Sequence, residues 1–279
     1  MNIFCQYSIL NTFINPSSTT GLVPTMGALH EGHVSLIKKA ICENQQVIVT
    51  IFINPTQFEN FDDLKKYPKT LEADVKIIES ISKKILIYTP DTDDLYSKEI
   101  KSLSYNFGPI EGVMEGEIRK NHFQGVATIV EKLLNIFMPE NAYFGEKDFQ
   151  QLQIIRLLVA QKKISSNIIG CSTFRNKDGL ALSSRNSFLT NSEREKASFI
   201  HQQLLVARSL WGIENPKTIS EKIKKSFSVN RNFKLDYFDI RFEVDLSRAT
   251  KKSKKKVRAF VAAKIGKTRL IDNLALYEI

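Results

Sequence analysis

The segment from Leu22 to Asn54 reads LVPTMGALHEGHVSLIKKAICENQQVIVTIFIN, and its reading decides the fold. Its last nine residues, QVIVTIFIN at 46–54, are an almost unbroken β-branched run. Such a run predicts a strand covered on both faces, as in a parallel sheet. The short apolar run Leu22-Val23-Pro24 predicts a second strand, and residues 34–44 between the two are helical in pattern. Strand, helix and strand make one β-α-β unit. Its first turn carries His30 and His33, two of only four histidines in the chain, with Gly27 and Gly32 beside them. Glycine lets a backbone come close to a ligand. A helix start presents unpaired N–H groups and a positive dipole end, which suit phosphate oxygens. Two imidazoles at that point can donate hydrogen bonds to a phosphate whose charge grows in a transition state. The pattern points to nucleotide chemistry.

Two plainer readings compete with it. Histidines three apart can bind zinc, but the intervening Glu31-Gly32 does not match the His-Glu-x-x-His spacing, and no third ligand is apparent. The other is a pair of incidental surface histidines.

Outward from this unit the alternation continues. A helix is expected from a Thr70 cap through Lys83, with Leu71, Val75, Ile78 and Ile81 on one face. Strands are expected at 85–89, 142–145 and 164–172, and helices at 125–138 and 149–162. The loop 107–121 is long enough to serve as a lid or a dimer contact. Beyond about residue 174 helices near 192–211 and 218–228 precede strands near 235–242 and 257–265. The expected fold is therefore α/β, a Rossmann-like doubly wound parallel sheet over 1–173, followed by a second, smaller α+β domain over 174–279.

With 279 residues, 42% hydrophobic and 25% charged, the chain is an ordinary globular protein with room for a sizeable core. Cys5, Cys42 and Cys171 are few and scattered, as free thiols in a reducing compartment are. No secretory signal and no apolar stretch of about 20 residues is visible, so a cytoplasmic protein with no membrane partner is expected. The net charge of +10 invites a nucleic-acid reading. Its one dense block, Lys251-Lys252-Ser253-Lys254-Lys255-Lys256, lacks interleaved aromatics and reads as a solvated loop between strands.

Three further clusters sit at element ends, where open α/β sheets hold ligands. Asn54-Pro55-Thr56-Gln57 closes the 46–54 strand, and its amides can both donate to and accept from a polar substrate. Gly145-Glu146-Lys147-Asp148 offers a close approach and a point charge for phosphates, with Gln151 one turn into the next helix. Judged alone, a helix start capped by Asp148 with a solvated Lys147 is the simpler account of that cluster. Arg175 and the stretch Asp178 to Asn186 make a plausible phosphate clamp through Ser183, Ser184 and Arg185, or else a Ser/Asn capping turn. Neither G-x-x-x-x-G-K-[ST] nor G-x-G-x-x-G occurs.

The strings at 23–33, 52–58, 122–126, 144–151, 178–186 and 262–273, in that order, resemble the pantoate–β-alanine ligase family. That family belongs to the nucleotidyltransferases whose His-x-x-His motif is shared with class I aminoacyl-tRNA synthetases. The resemblance covers nearly the whole chain. It implies that ATP adenylates pantoate, that β-alanine then displaces AMP to give pantothenate, and that Mg²⁺ assists. It further implies a homodimer and a lid role for 174–279.

By the same resemblance His30 and His33 stabilise the α-phosphate transition state, His33 donating a proton, with Lys147 as a third catalytic residue. Met26, Gly27, Ala28, Leu29, Glu31 and Gly32 line the ATP site with them. Gly145, Glu146, Lys147 and Asp148 also contact ATP, as do Leu182, Ser183, Ser184 and Arg185, while Phe174 meets adenine through its backbone. Gln57 and Gln151 grip pantoate, Gln57 reaches β-alanine, and Pro24, Thr25 and Asn54 complete the substrate side. Asp74 corresponds to a carboxylate near Mg²⁺. The chain departs from the family at Leu182, often Met there, and at Asn176-Lys177, commonly an acidic pair. A nucleotidyltransferase acting on another acid, or a nucleic-acid-binding protein, are the rival classes.

Overall fold

Six parallel strands build the first sheet. They are β1 (Ile3–Phe4), β2 (Thr20–Thr25), β3 (Gln46–Ile51), β4 (Leu86–Tyr88), β5 (Asn141–Gly145) and β6 (Asn167–Cys171), in spatial order β1-β4-β3-β2-β5-β6. The computed structural model describes residues 2–59, 61–96, 99–250 and 255–277. The chain divides into two units, Met1–Glu146 with Gln150–Ser172, and Lys147–Phe149 with Thr173–Ile279.

In the first unit β3 lies between β2 and β4, and Val47, Ile48, Val49 and Thr50 are all buried, as a strand covered on both faces requires. On one face Val23, Val47, Val49 and Ile87 join Leu36, Ile37 and Ala40 of the helix Glu31–Glu43 and Val75 and Ile78 of the helix Leu71–Ile81. On the alternate residue of β4, Tyr88 meets the ring of Phe137, 5.3 Å away at the end of the helix His122–Phe137. Chain order reverses between β2 and β5, which makes their carboxyl ends the topological switch point of the sheet. Residues 26–33 leave β2 there.

Several boundaries differ from expectation for local reasons. The first helix begins at Glu31 rather than 34, because His30 caps it. Thr70 occupies the cap position of the next helix, yet its hydroxyl makes no cap bond and donates instead to Asp74. That helix ends at Ile81. The loop 107–121 is tied down by Gln150, whose amide donates to the carbonyls of Ile110 and Val113 at 2.8 Å and accepts from Glu115 N at 3.1 Å.

The second unit is built on an antiparallel sheet of β7 (Phe233–Phe242), β8 (Val257–Ile265) and β9 (Thr268–Ala275), in that order. The sequence reading did not anticipate β9. It follows β8 through the two-residue turn Gly266-Lys267, with Ile265 opposite Thr268 and Gly266 at φ +54°. Helices Phe199–Leu210 and Pro216–Val229 bury Ile200, Leu204, Ile219, Ile223 and Phe227 with Phe238, Ile240, Ala259 and Val261 of the sheet. The single helix expected near 192–211 is two, Asn191–Ala197 and Phe199–Leu210. At the break the Ser198 hydroxyl donates to the Glu195 carbonyl at 3.0 Å, competing with the helical pattern.

Of the basic block, Lys251, Lys252, Ser253 and Lys254 lie outside the described residues. All three cysteines are free thiols. Among the described residues no helix is long and apolar enough to cross a membrane.

Candidate active site

At the end of β2 the backbone turns through Gly27 (φ +78°) and Ala28 (φ +50°), a left-handed pair in which the alanine is strained. The Asp74 carboxylate braces this turn. One oxygen accepts Leu29 N at 2.7 Å, and the other accepts Ala28 N at 3.0 Å and the Thr70 hydroxyl at 3.1 Å. A side chain at Gly27 would come within 2.9 Å of that second oxygen. Asp74 is 1% exposed. The metal-ligand role expected of it does not match this geometry, because both oxygens are engaged on the loop they support. Among the described residues no three His, Cys, Asp or Glu side chains group to hold a metal.

The braced turn delivers the two histidines as a helix cap. His30 Nδ1 accepts the N–H of Gly32 at 3.1 Å, and His33 Nδ1 accepts the N–H of His30 at 3.3 Å. Together they form a capping box in which imidazoles stand where Ser and Glu are usual. Their rings are 4.1 Å apart. An Nδ1 that accepts from a backbone N–H has its lone pair there, so each neutral ring carries its proton on Nε2. The local fold therefore selects the tautomer of both rings. Each is half-buried.

Of the residues expected on the substrate side, Asn54 and Gln57 form a second network with Thr56, Tyr96 and Gly125. Asn54, expected to bond substrate, is 1% exposed, and all of its hydrogen-bonding capacity is used within the protein. Its amide nitrogen donates to Gln57 Oε1 and to the Gly125 carbonyl, both at 3.1 Å. Its oxygen accepts from the Tyr96 hydroxyl at 2.7 Å and from Thr56 Oγ1 at 3.1 Å. Asn54 thus orients Gln57, whose own nitrogen faces the Met26 sulfur at 2.9 Å. Burial keeps the Tyr96 phenol above its ordinary pKa, which preserves it as a donor to Asn54. Thr25 also braces rather than presents, its hydroxyl donating to Thr50 O at 2.7 Å and accepting from Gly27 N at 3.2 Å. Pro24 is half-buried in β2. Gln151 is half-buried.

His122 and Arg119 are a part of this network that sequence reasoning passed over. His122 is buried, with Nδ1 2.8 Å from the Gln57 carbonyl and Nε2 2.9 Å from an Arg119 nitrogen. A guanidinium only donates, so Nε2 accepts and Nδ1–H donates to Gln57. At Gly125 the helix backbone lies so close to the 54–57 turn that a Cβ would collide with the Thr56 carbonyl. The sequence signal available was the His-Phe-Gln-Gly spacing at 122–125.

Gly145 ends β5 with nothing within 4 Å of where a Cβ would be, and Glu146 follows it. In the second unit Lys147 is largely buried, with its ammonium 3.7 Å from an Asp148 oxygen. Residues 174–182 form a small hairpin in which Leu182 N donates to the Phe174 carbonyl at 3.0 Å. Ser183 caps a short helical turn, Ser184–Phe188, through the N–H of Arg185. The capping turn read from the sequence is thus present.

Residues 5–275 match the profile of the family described as Pantoate-beta-alanine ligase. The chain belongs to that family. It is 46% identical over 281 residues to the pantothenate synthetase of Flavobacterium psychrophilum, covering 99% of this chain and 100% of the relative. The crystal structure of pantothenate synthetase from Thermus thermophilus superposes with a TM-score of 0.94 at 33% identity, each chain covered in full at 100%. The pantoate–β-alanine ligase of Francisella tularensis, solved with β,γ-ATP and β-alanine, is 38% identical with a TM-score of 0.81, covering 99% of this chain and 98% of its own. As a pantoate–β-alanine ligase, the chain is an enzyme, and its fold agrees with that of the Thermus thermophilus structure along its whole length.

Proposed function

We propose that the chain joins (R)-pantoate to β-alanine at the expense of ATP, forming pantothenate, the precursor of coenzyme A, through a pantoyl adenylate. The observation that carries this reading is the histidine pair, whose Nδ1 atoms cap a helix and whose ring protons are thereby directed to Nε2. In the first step a pantoate carboxylate oxygen bonds to the α-phosphorus as the bond to the bridging oxygen breaks, releasing pyrophosphate. In the second, the β-alanine nitrogen attacks the acyl carbon, AMP leaves with the C–O electron pair, and the amine loses a proton. A carboxylate resists attack by an amine, and adenylation supplies the leaving group. The enzyme's part is positioning and stabilisation of charge at phosphorus.

The two Nε2–H groups are aimed donors for that charge, with His33 supplying a proton to it. Lys147 neutralises the phosphates, and Ser183, Ser184 and Arg185 contact them. Gly145, Glu146, Asp148, Leu182 and the Phe174 backbone line the nucleotide. Gln57, held by Asn54, grips pantoate and reaches β-alanine, with Gln151 as the second amide. An ATP-using ligase of this kind calls for a divalent cation, and Mg²⁺ is the one expected. Asp74, with both oxygens engaged by Ala28, Leu29 and Thr70, does not fit as its ligand. Assembly as a homodimer, a cytoplasmic location and a lid role for 174–279 belong to the same proposal on resemblance alone.

The test is exchange of labelled pyrophosphate into ATP that depends on pantoate, without β-alanine. Exchange is expected, and His33→Ala is expected to lower it at least about 100-fold, the scale for one stabilising donor. Absence of exchange in folded protein that binds ATP overturns pantoate as the acid.

A further inference from the structure

Two adjacent residues of β9, Asp272 and Asn273, tie down two separate stretches of the second unit. Arg175 meets the Asp272 carboxylate with both ends of its guanidinium, Nη1 to Oδ2 at 2.6 Å and Nη2 to Oδ1 at 2.8 Å. The same two nitrogens donate to the carbonyls of Gly179 at 3.0 Å and Asn273 at 3.2 Å. Arg175 and Gly179 belong to the 174–182 hairpin that leads into Ser183, so the root of that loop is clamped to β9. Asn273, 3% exposed, reaches the other stretch. Its amide nitrogen donates to the Lys147 carbonyl at 2.8 Å, while its oxygen accepts from Arg258 Nη1 at 2.6 Å. Arg258 in turn lies 4.0 Å over the ring of Phe149. The 147–149 stretch is therefore held at its first carbonyl and at its last ring, by neighbouring groups of one sheet.

A purely structural reading would call this an ion pair closing a small domain. Buried ion pairs add little net stability over apolar packing of the same shape, whereas their directional bonds set geometry tightly. What is set here is the backbone of the two stretches that carry the phosphate-contacting groups. We propose that Asp272 and Asn273 are positioning residues for the reaction. Asn273 fixes the main chain from which Lys147 projects, and Asp272 fixes, through Arg175, the loop bearing Ser183, Ser184 and Arg185. One edge strand is then the common frame for both sets of nucleotide contacts in this unit. The inference rests on the reading of Lys147 and 183–185 as ATP contacts.

Asn273→Asp is the sharpest perturbation. It keeps shape and the oxygen that pairs with Arg258, and turns the donor facing the Lys147 carbonyl into an acceptor. Steady-state kinetics should show KM for ATP raised about tenfold or more while KM for pantoate stays within about twofold. Arg175→Lys, which keeps charge but loses the two-pronged pairing, should do the same. In a Lys147→Ala background Asn273→Asp should add less than about twofold, because residues acting through one another are not additive. Lys147→Ala that leaves KM for ATP unchanged would fail the ATP reading itself. Lys147→Ala that raises it, while Asn273→Asp and Arg175→Lys leave it within about twofold, overturns the positioning proposal alone. Variants that no longer fold, or that raise both KM values together, point to a scaffold role and overturn it as well.

Discussion

Replacing Asp74 with asparagine separates bracing of the histidine loop from metal binding. The carboxylate accepts three hydrogen bonds at a site 1% exposed. An asparagine keeps one acceptor oxygen, and the short 2.7 Å contact with Leu29 N is where it will stay. The new amide nitrogen then faces the Ala28 N–H, donor against donor, at a residue already in the left-handed region. Orphaning that N–H costs about 1–3 kcal/mol, and exchanging a carboxylate for a neutral acceptor at Leu29 costs about 1 kcal/mol more. Relief from burying a charge offsets part of this, leaving about 2–3 kcal/mol of lost stability. Thermal unfolding should fall by about 5–10 °C for a chain of this size. The loop also sets the histidine cap, and a shift of about 1 Å in reacting groups can lower a rate about 100-fold. Melting curves and pyrophosphate exchange over a Mg²⁺ titration measure both effects. A melting point within about 1 °C of the parent, with exchange restored by added Mg²⁺, would refute the bracing role and return Asp74 to the metal.

Gly145→Ala should leave stability within about 0.5 kcal/mol, since its Cβ meets no protein atom within 4 Å, yet raise KM for ATP if nucleotide lies against it. A wild-type KM in that variant would remove Gly145 from the ATP site. His201 is held below its ordinary pKa by burial and then by the charge of Arg175, with Asp272 opposing. The unfolded chain therefore takes up a proton at a pH where the folded chain still resists it, so stability present above about pH 6.5 is lost as pH falls toward the folded value. His201→Gln should flatten the fall in melting temperature between pH 7.5 and 5.5 (about one unit either side of the ordinary value). Iodoacetamide at pH 8 should label the exposed Cys5 and Cys42 far faster than Cys171, whose thiol burial pushes up to about 11. Equal labelling of all three would contradict that burial.

What could be read from the chain without coordinates follows a physical divide. The strand at 46–51 and β8 came out at or near their observed bounds because each is an apolar, β-prone run, and the helix Phe149–Lys162 because it is an uninterrupted run of helix-favouring residues. β9 was passed over because its alternation is interrupted by Asp272 and Asn273, two adjacent buried polar residues with special tasks. The two-residue β1 carries no periodic signal. Within the site the histidine pair was legible because both partners lie in one turn. The tasks of Asp74 and Asn54 were not, since each turns on partners far along the chain, Leu29 and Ala28 for Asp74 at 45 and 46 positions and Tyr96 and Gly125 for Asn54 at 42 and 71. Residue type said that these groups could bind a ligand, and only the surrounding chain decided that they hold other residues instead.

The histidine cap has a consequence for how this protein can change. Serine or aspartate at position 30 and glutamate at 33 would start the 31–43 helix better than imidazoles do. Any drift or redesign that rewards thermal robustness alone will therefore be drawn toward substitutions that delete the two aimed ring protons. On the role proposed for the two rings, the start of that helix is a point where robustness and turnover are in direct competition, and a library screened only for melting temperature should lose activity there first.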